Sequence, residues 1–144
     1  MNPNDFLDLA KTLAASTGEA ERRTAISRAY YGAFHLGCEL VRACGIVLPT
    51  KTPDSHEKMP WCLQQSRDAS LAATAAKLAS LRQMRNLADY DLANQAAATP
   101  RNTLLQIAIA EQIASEIRAC DVAHVRSPIR LYAKNVLGWN VSGS

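Results

Sequence analysis

The sequence predicts an all-α fold, an up-and-down helical bundle of four main helices plus a short one. Three observations predict it. Alanine and leucine are abundant, while β-branched and aromatic residues are sparse in the central segments. Apolar residues recur at three- and four-residue steps over long runs, the period of a helix buried along one face. The chain-breaking clusters of Gly, Pro, Asn and Asp fall between those runs.

Asn4 is placed to cap a first helix reaching about Ala15, with Phe6, Leu9, Ala10 and Leu13 on one face and Ser16-Thr17-Gly18 ending it. A second helix runs from about Glu19 to Cys44, because Ile26, Ala29, Tyr30, Ala33, Phe34, Gly37, Cys38 and Val41 form one continuous stripe. Gly45 supplies its stop. The stretch from Gly45 to Asp54, with Pro49 and Pro53 among threonines, is a loop, and Ser55 or Asp54 is positioned to cap a shorter third helix ending about Gln65. The fourth helix, Ala69 to Tyr90, is the most alanine-rich. After a loop from Asn94, Thr99 and Pro100 make an N-cap and first helical position for a fifth helix to about Val125, with Leu105, Ile109, Ile113, Ile117 and Cys120 as its buried stripe. The bundle therefore spans residues 1–125. Residues 126–144 form a basic tail, either a docking helix or a mobile arm.

At 144 residues and 48% hydrophobic, the chain is the size of one domain and long enough to bury a core without staples. A net charge of +3 with a pI near 8.8 permits an anionic partner without implying one. Cys38, Cys44, Cys62 and Cys120 show no C-x-x-C pair and no zinc spacing, so they read as reduced, buried or half-buried thiols, and no metal or cofactor is expected. The start, Met1-Asn2-Pro3-Asn4-Asp5, has neither a basic nor an apolar leader region, and no run of about 18 apolar residues occurs. The expectation is a cytoplasmic protein with no membrane association.

The chemistry is concentrated in Leu81-Arg82-Gln83-Met84-Arg85-Asn86-Leu87-Ala88-Asp89-Tyr90-Asp91. At about 100° per residue, Arg85 and Asp89 lie within about 40° of Leu71 and Leu78, with Arg82 alongside. Charged side chains thus continue the apolar stripe, and an inward polar cluster needs a partner, an anion or a ligand. The bland alternative is an exposed i,i+4 pair between Arg85 and Asp89, worth only a few tenths of a kcal/mol.

Taken with Arg23-Thr24-Ala25-Ile26-Ser27-Arg28-Ala29-Tyr30-Tyr31-Gly32-Ala33-Phe34-His35, this stretch resembles the two signature segments of the HEPN family. There an S-R-A-Y-Y-x-A-F-H-like helix packs on a later helix bearing L-R-x-x-R-N-x-A-D-Y-D. Ser55-His56 between them also resembles a family feature, and the likeness covers roughly residues 5 to 125. It implies a bundle dimerised through its arginine-bearing face, an RNA or nucleotide ligand, and a role as the toxin or effector of a two-protein toxin–antitoxin or defence system with a nucleotidyltransferase-type antitoxin partner. It also implies a binding set of Arg82, Arg85, Asn86, Asp89, Tyr90, Asp91 and Tyr31.

Many members of that family are metal-independent endoribonucleases whose arginine is followed, four to six residues on, by a histidine. This sequence departs from the pattern: Leu87, Ala88 and Asp89 follow Arg82, and Tyr90, Asp91 and Leu92 follow Arg85. Metal-free RNA cleavage needs a base for the 2′-hydroxyl, an acid for the leaving oxygen and a cation on the phosphate. Arg85 or Arg82 can be the cation. An arginine four residues away keeps Asp89 ionised and unfit as the acid. Tyr90, with an ordinary pKa near about 10, suits binding better than fast proton transfer. His56, in a loop or at a helix start, is the best remaining catalytic candidate, against the plainer reading of a surface histidine. His35 reads as packed or solvent-facing, and His124 as a complement to the dipole at the end of the fifth helix.

Tyr30 fits the apolar stripe and reads as core. Tyr31 lies on the flanking face, either meeting the Arg85–Asp89 cluster or forming a plain aromatic rim. In the tail, Arg126, Arg130 and Lys134 are spaced by four and can line one side of a helix toward phosphates, with Tyr132 or Trp139 stacking on bases. The bland alternative is a solvated helix packing through Ile129, Leu131 and Leu137. The expected function is accordingly RNA or nucleotide binding with an endoribonuclease as its catalytic form. The rivals are a non-catalytic dimerisation module whose Arg-Asp-Tyr cluster is an interface network, and an inert bundle whose function resides in the tail.

Overall fold

The computed structural model describes residues 1–49 and 53–143. Thr50, Lys51 and Thr52, within the expected loop, and Ser144, at the end of the expected tail, lie outside the described residues. The fold is an all-α helical bundle: α1 Asn4–Ala14, α2 Glu19–Ala43, α3 Asp54–Gln64, α4 Ala69–Tyr90, α5 Pro100–Arg118 and α6 Val122–Asn135, with a short 3₁₀ turn at Gln95–Ala98. The described residues contain no strand, only an isolated antiparallel bridge between Ile46 and Val141. The chain forms two compact units, Met1–His35 with Lys77–Ala114, and Leu36–Ala76 with Ser115–Ser144.

In the first unit α1 packs closely on α2 because Gly32 has no side chain there. A Cβ at Gly32 would sit 2.9 Å from Leu7 Cδ2 and 3.2 Å from Phe6 Cβ. Leu7 and Ala10 are the buried residues of α1, and Leu9 is exposed, so the helix is rotated from the face expected around Phe6 and Leu9. Asn4 does not cap α1. Pro3 already has helical dihedrals, and the Asn2 side chain accepts the Asn4 backbone N–H instead, at 3.0 Å. The α2 stripe from Ile26 to Val41 is buried throughout.

Thr99 caps α5 as its sequence predicts, accepting the Asn102 N–H at 3.1 Å. The buried face of α5 in this unit is Thr103, Gln106, Ile107, Ala110, Ile113 and Ala114; Ile113 is buried as expected, whereas Leu105 is 55% exposed, contrary to expectation. The physical reason is that Thr103 and Gln106 satisfy their polar atoms locally. Thr103 donates to the Thr99 carbonyl at 2.8 Å and Gln106 to the Asn102 side chain at 3.1 Å, so both can occupy core positions.

In the second unit Gly45 ends α2 with φ +87°, a conformation that favours glycine. Neither Asp54 nor Ser55 caps α3; Ser55 donates its hydroxyl to the Pro49 carbonyl at 2.7 Å. Asp68 caps α4, accepting the Leu71 N–H at 3.0 Å. The helix expected to run to Val125 stops at Arg118, because Asp121 accepts the Ala123 N–H at 3.1 Å and starts α6. Val125, Ile129 and Ala133 are the buried face of α6, while Leu131 points outward. His124 therefore stands in the first turn of a helix, not near the end of one, and its Nε2 lies 4.0 Å from Asp68. Cys38, Cys44 and Cys62 are buried and Cys120 half-buried, all as free thiols.

Candidate functional site

The most distinctive polar arrangement lies in the first unit, where the N-terminal part of α2 faces the C-terminal part of α4. Arg28, Tyr31 and His35 follow one another at helical spacing on α2, and Arg85, Asn86 and Asp89 do so on α4. Arg85 is drawn inward: its side chain is only 14% exposed. One terminal nitrogen donates to the Tyr31 hydroxyl at 2.6 Å and the other to the Asn86 side-chain oxygen at 2.6 Å. Its guanidinium carbon lies 5.2 Å from the Tyr31 ring centre, 5.6 Å from that of Tyr30 and 5.7 Å from that of Tyr90. Three aromatic rings thus surround one cation, a geometry their quadrupoles favour.

Arg28 also lies against Tyr31. Its guanidinium carbon is 4.9 Å from the Tyr31 ring centre and 5.5 Å from that of Phe6. Phe6 in turn stacks on His35, with ring centres 5.7 Å apart. Two guanidinium groups therefore contact one tyrosine ring.

Among the described residues, one carboxylate approaches this pair. Asp89 lies 3.4 Å from Arg85 Nε and accepts from the Ser27 hydroxyl at 3.2 Å. The Arg85 contact has ion-pair distance without hydrogen-bond alignment, so Nε of Arg85 is buried and unsatisfied, as is Nε of Arg28. Among the described residues, Arg28 donates to the Ser27 hydroxyl alone, at 3.4 Å. Burial pulls the Arg85 pKa down, but the Tyr31 hydroxyl, with Tyr90 and Asp89 nearby, outweighs it and raises the net value. The cluster carries two firm cations and one anion.

Arg23, one turn before Ser27, has a different duty. It is buried, and its guanidinium donates to the carbonyls of Leu87, Ala88, Asp91, Leu92 and Asn94, with Glu19 on its outer side at 3.4 Å. The last carbonyls of a helix have no partners within it, and here a neighbouring helix supplies them. Arg23 thereby holds the end of α4 in place, and with it the turn that carries Asp89 and Tyr90.

Of the residues singled out from sequence, Tyr31, Arg85, Asn86, Asp89 and Tyr90 come together. Tyr90 is 74% exposed and forms the outer edge of the group. Arg82 is half-buried on the same helix. Asp91 contributes its carbonyl to Arg23, and the residue is exposed. His56 lies in the first turn of α3, in the second unit. Sequence reasoning missed Arg28 and His35 as members, and Arg23 as the residue that holds the end of α4. The signal for two of them was present, since Arg28, Tyr31 and His35 stand at i, i+3 and i+7 on one face.

No group of three or more His, Cys, Asp or Glu among the described residues is arranged to hold a metal ion. Among them, no helix is long and apolar enough to cross a membrane. No family model, no curated protein and no solved structure matches this chain.

Proposed function

We propose that the chain is a HEPN-like RNA- or nucleotide-binding protein, the effector component of a two-protein toxin–antitoxin or defence system, whose phosphate site is the Arg28–Tyr31–Arg85 cluster. The observation that carries this reading is the excess of cation over anion in a partly buried place. Among the described residues Arg28 has no carboxylate partner, Arg85 meets one carboxylate at a poor angle, and both retain an unsatisfied Nε. A phosphate supplies both the missing charge and the missing acceptors. Tyr90, at the exposed edge, offers a face on which a base can stack.

Binding is the function this geometry supports best. Cleavage requires proton transfer as well, and the imidazole nearest the cluster in the first unit is His35, 6.4 Å from the Tyr31 ring centre. The test is to incubate the purified protein with total RNA in EDTA and, separately, to titrate it with a nucleoside monophosphate. Arg85→Ala should weaken nucleotide binding at least about tenfold, since hydrogen bonds to a charged group are lost. Equal nucleotide affinity in the two proteins would defeat the reading. RNA cleavage in EDTA that disappears in Arg85→Ala would add the endoribonuclease activity.

A second reading has its own observation. The exposed Tyr90 and Leu92 adjoin the arginine group, as befits a homodimer interface in which a buried network sets specificity more than stability. If that is its role, Arg85→Ala elutes as a monomer on size exclusion where the unaltered protein elutes as a dimer, with no change in nucleotide binding.

A further inference from the structure

The second unit carries a separate basic surface. α6 presents Arg126, Arg130 and Lys134 along one side of a groove of about 430 Å³, which Ser127, Leu131 and Val141 also line. At 1.5 Å per residue the three cations step by about 6 Å along the helix. None of them has an ion pair among the described residues, and no Asp or Glu occurs between Val122 and Gly143.

The two arginines are held in place by the main chain. Arg126 donates to the Ala43 carbonyl at 3.1 Å; Arg130 donates to Cys44 at 3.1 Å, Ser142 at 2.8 Å and Gly143 at 3.1 Å. This clamp ties the C-terminal segment to the end of α2, where cations are favoured. Carbonyl partners orient a guanidinium but do not neutralise it. Lys134 takes no part in the clamp and is exposed.

Leu131, 54% exposed, is shared with an adjoining groove of about 330 Å³ that is also lined by Arg67, Gln64, Gln65 and Tyr132. That groove offers amides for base edges and a ring for stacking, beside a row of cations.

We infer that these joined grooves on α6 bind a single-stranded nucleic acid, with its phosphates along Arg126, Arg130 and Lys134 and a base against Leu131 and Tyr132. This does not depend on the Arg85 cluster. Three phosphate contacts on a single strand predict a log–log salt slope of about −2.

The test is fluorescence anisotropy with a labelled single-stranded RNA of about twelve nucleotides, comparing the full chain with a Ser127→Glu, Lys134→Gln double variant. These positions make no clamp bonds, so the tail stays docked, and far-UV circular dichroism checks the fold. Affinity should fall by about tenfold or more and the slope should shrink toward about −1. An unchanged affinity and slope in the variant would overturn the proposal, as would failure of the unaltered protein to bind at low salt. Displacement by inorganic phosphate where chloride of equal ionic strength does not displace would reduce the site to a single-anion pocket. Equal binding of the corresponding duplex would remove the single-strand assignment. Arg85→Ala serves as the independent control: loss there with binding unaffected by the α6 variant sinks the groove, whereas loss confined to the α6 variant supports it and leaves the cluster to be judged by the nucleotide titration.

Discussion

Arg23 and Arg85 are both helix arginines drawn inward, with different partners. Arg23 meets carbonyls at the end of α4 and in the turn after it, such as those of Ala88 and Asn94, and Arg85 meets aromatic faces and a hydroxyl. Replacing Arg23 with alanine should therefore cost about 3 kcal/mol, because buried acceptors lose a charged donor, and the loss is measurable by urea unfolding. A change under about 1 kcal/mol would mean that water takes over the carbonyls. Tyr31→Phe keeps the ring beside both arginines and removes the hydroxyl that accepts from Arg85 at 2.6 Å. If the cluster binds phosphate, this variant should bind a nucleotide within about fivefold of the unaltered protein, since one hydrogen bond is worth about 1 kcal/mol.

Elements pack here according to where side chains are absent as much as where they are present. At Gly32 a methyl group would press on Leu7 and on the Cβ of Phe6, which belongs to the stiff start of a side chain. Gly32→Ala should displace α1 and lower stability by about 1–3 kcal/mol, read from a thermal melt. At Gly37 the nearest atom would be the terminal methyl of Met59, at 2.7 Å, which can swing aside. Gly37→Ala should accordingly cost less than Gly32→Ala, and the order of the two melting temperatures is the check. The break between α5 and α6 is a local device, and Asp121→Ala should lose about 1 kcal/mol through its cap.

For the whole molecule, the buried thiols set the response to alkali. Burial pushes Cys38 and Cys62 from the ordinary 9.0 up to about 12. Below pH 9 both folded and unfolded chains hold these protons, and the stability is fully present. As the pH rises from 9 toward about 12 the unfolded chain ionises first, so stability is progressively lost. Thermal melts over that range should show the decline, and Cys62→Ala should flatten it relative to the starting value at pH 8.

Helical content, the α2 stripe, the stop at Gly45 and the Thr99 cap were all legible in the sequence, because each depends on residues within a turn or two of one another. Tyr31 and Arg85 could be placed on faces by their spacing. Their meeting is a contact between residues 54 apart, and no local period encodes it. Periodicity fixes the angles between side chains on a helix but not which way the helix is turned, which is why Leu105 reads as core and stands outside while Thr103 and Gln106 are within. Tertiary packing alone decided that Arg23 would cap a distant helix, that Arg28 would join the cluster, and that the residues after Val122 would form a docked helix with Trp139 buried. Each of those outcomes depends on which carbonyls, rings and apolar faces a second element brings near, and that information resides in the assembled fold.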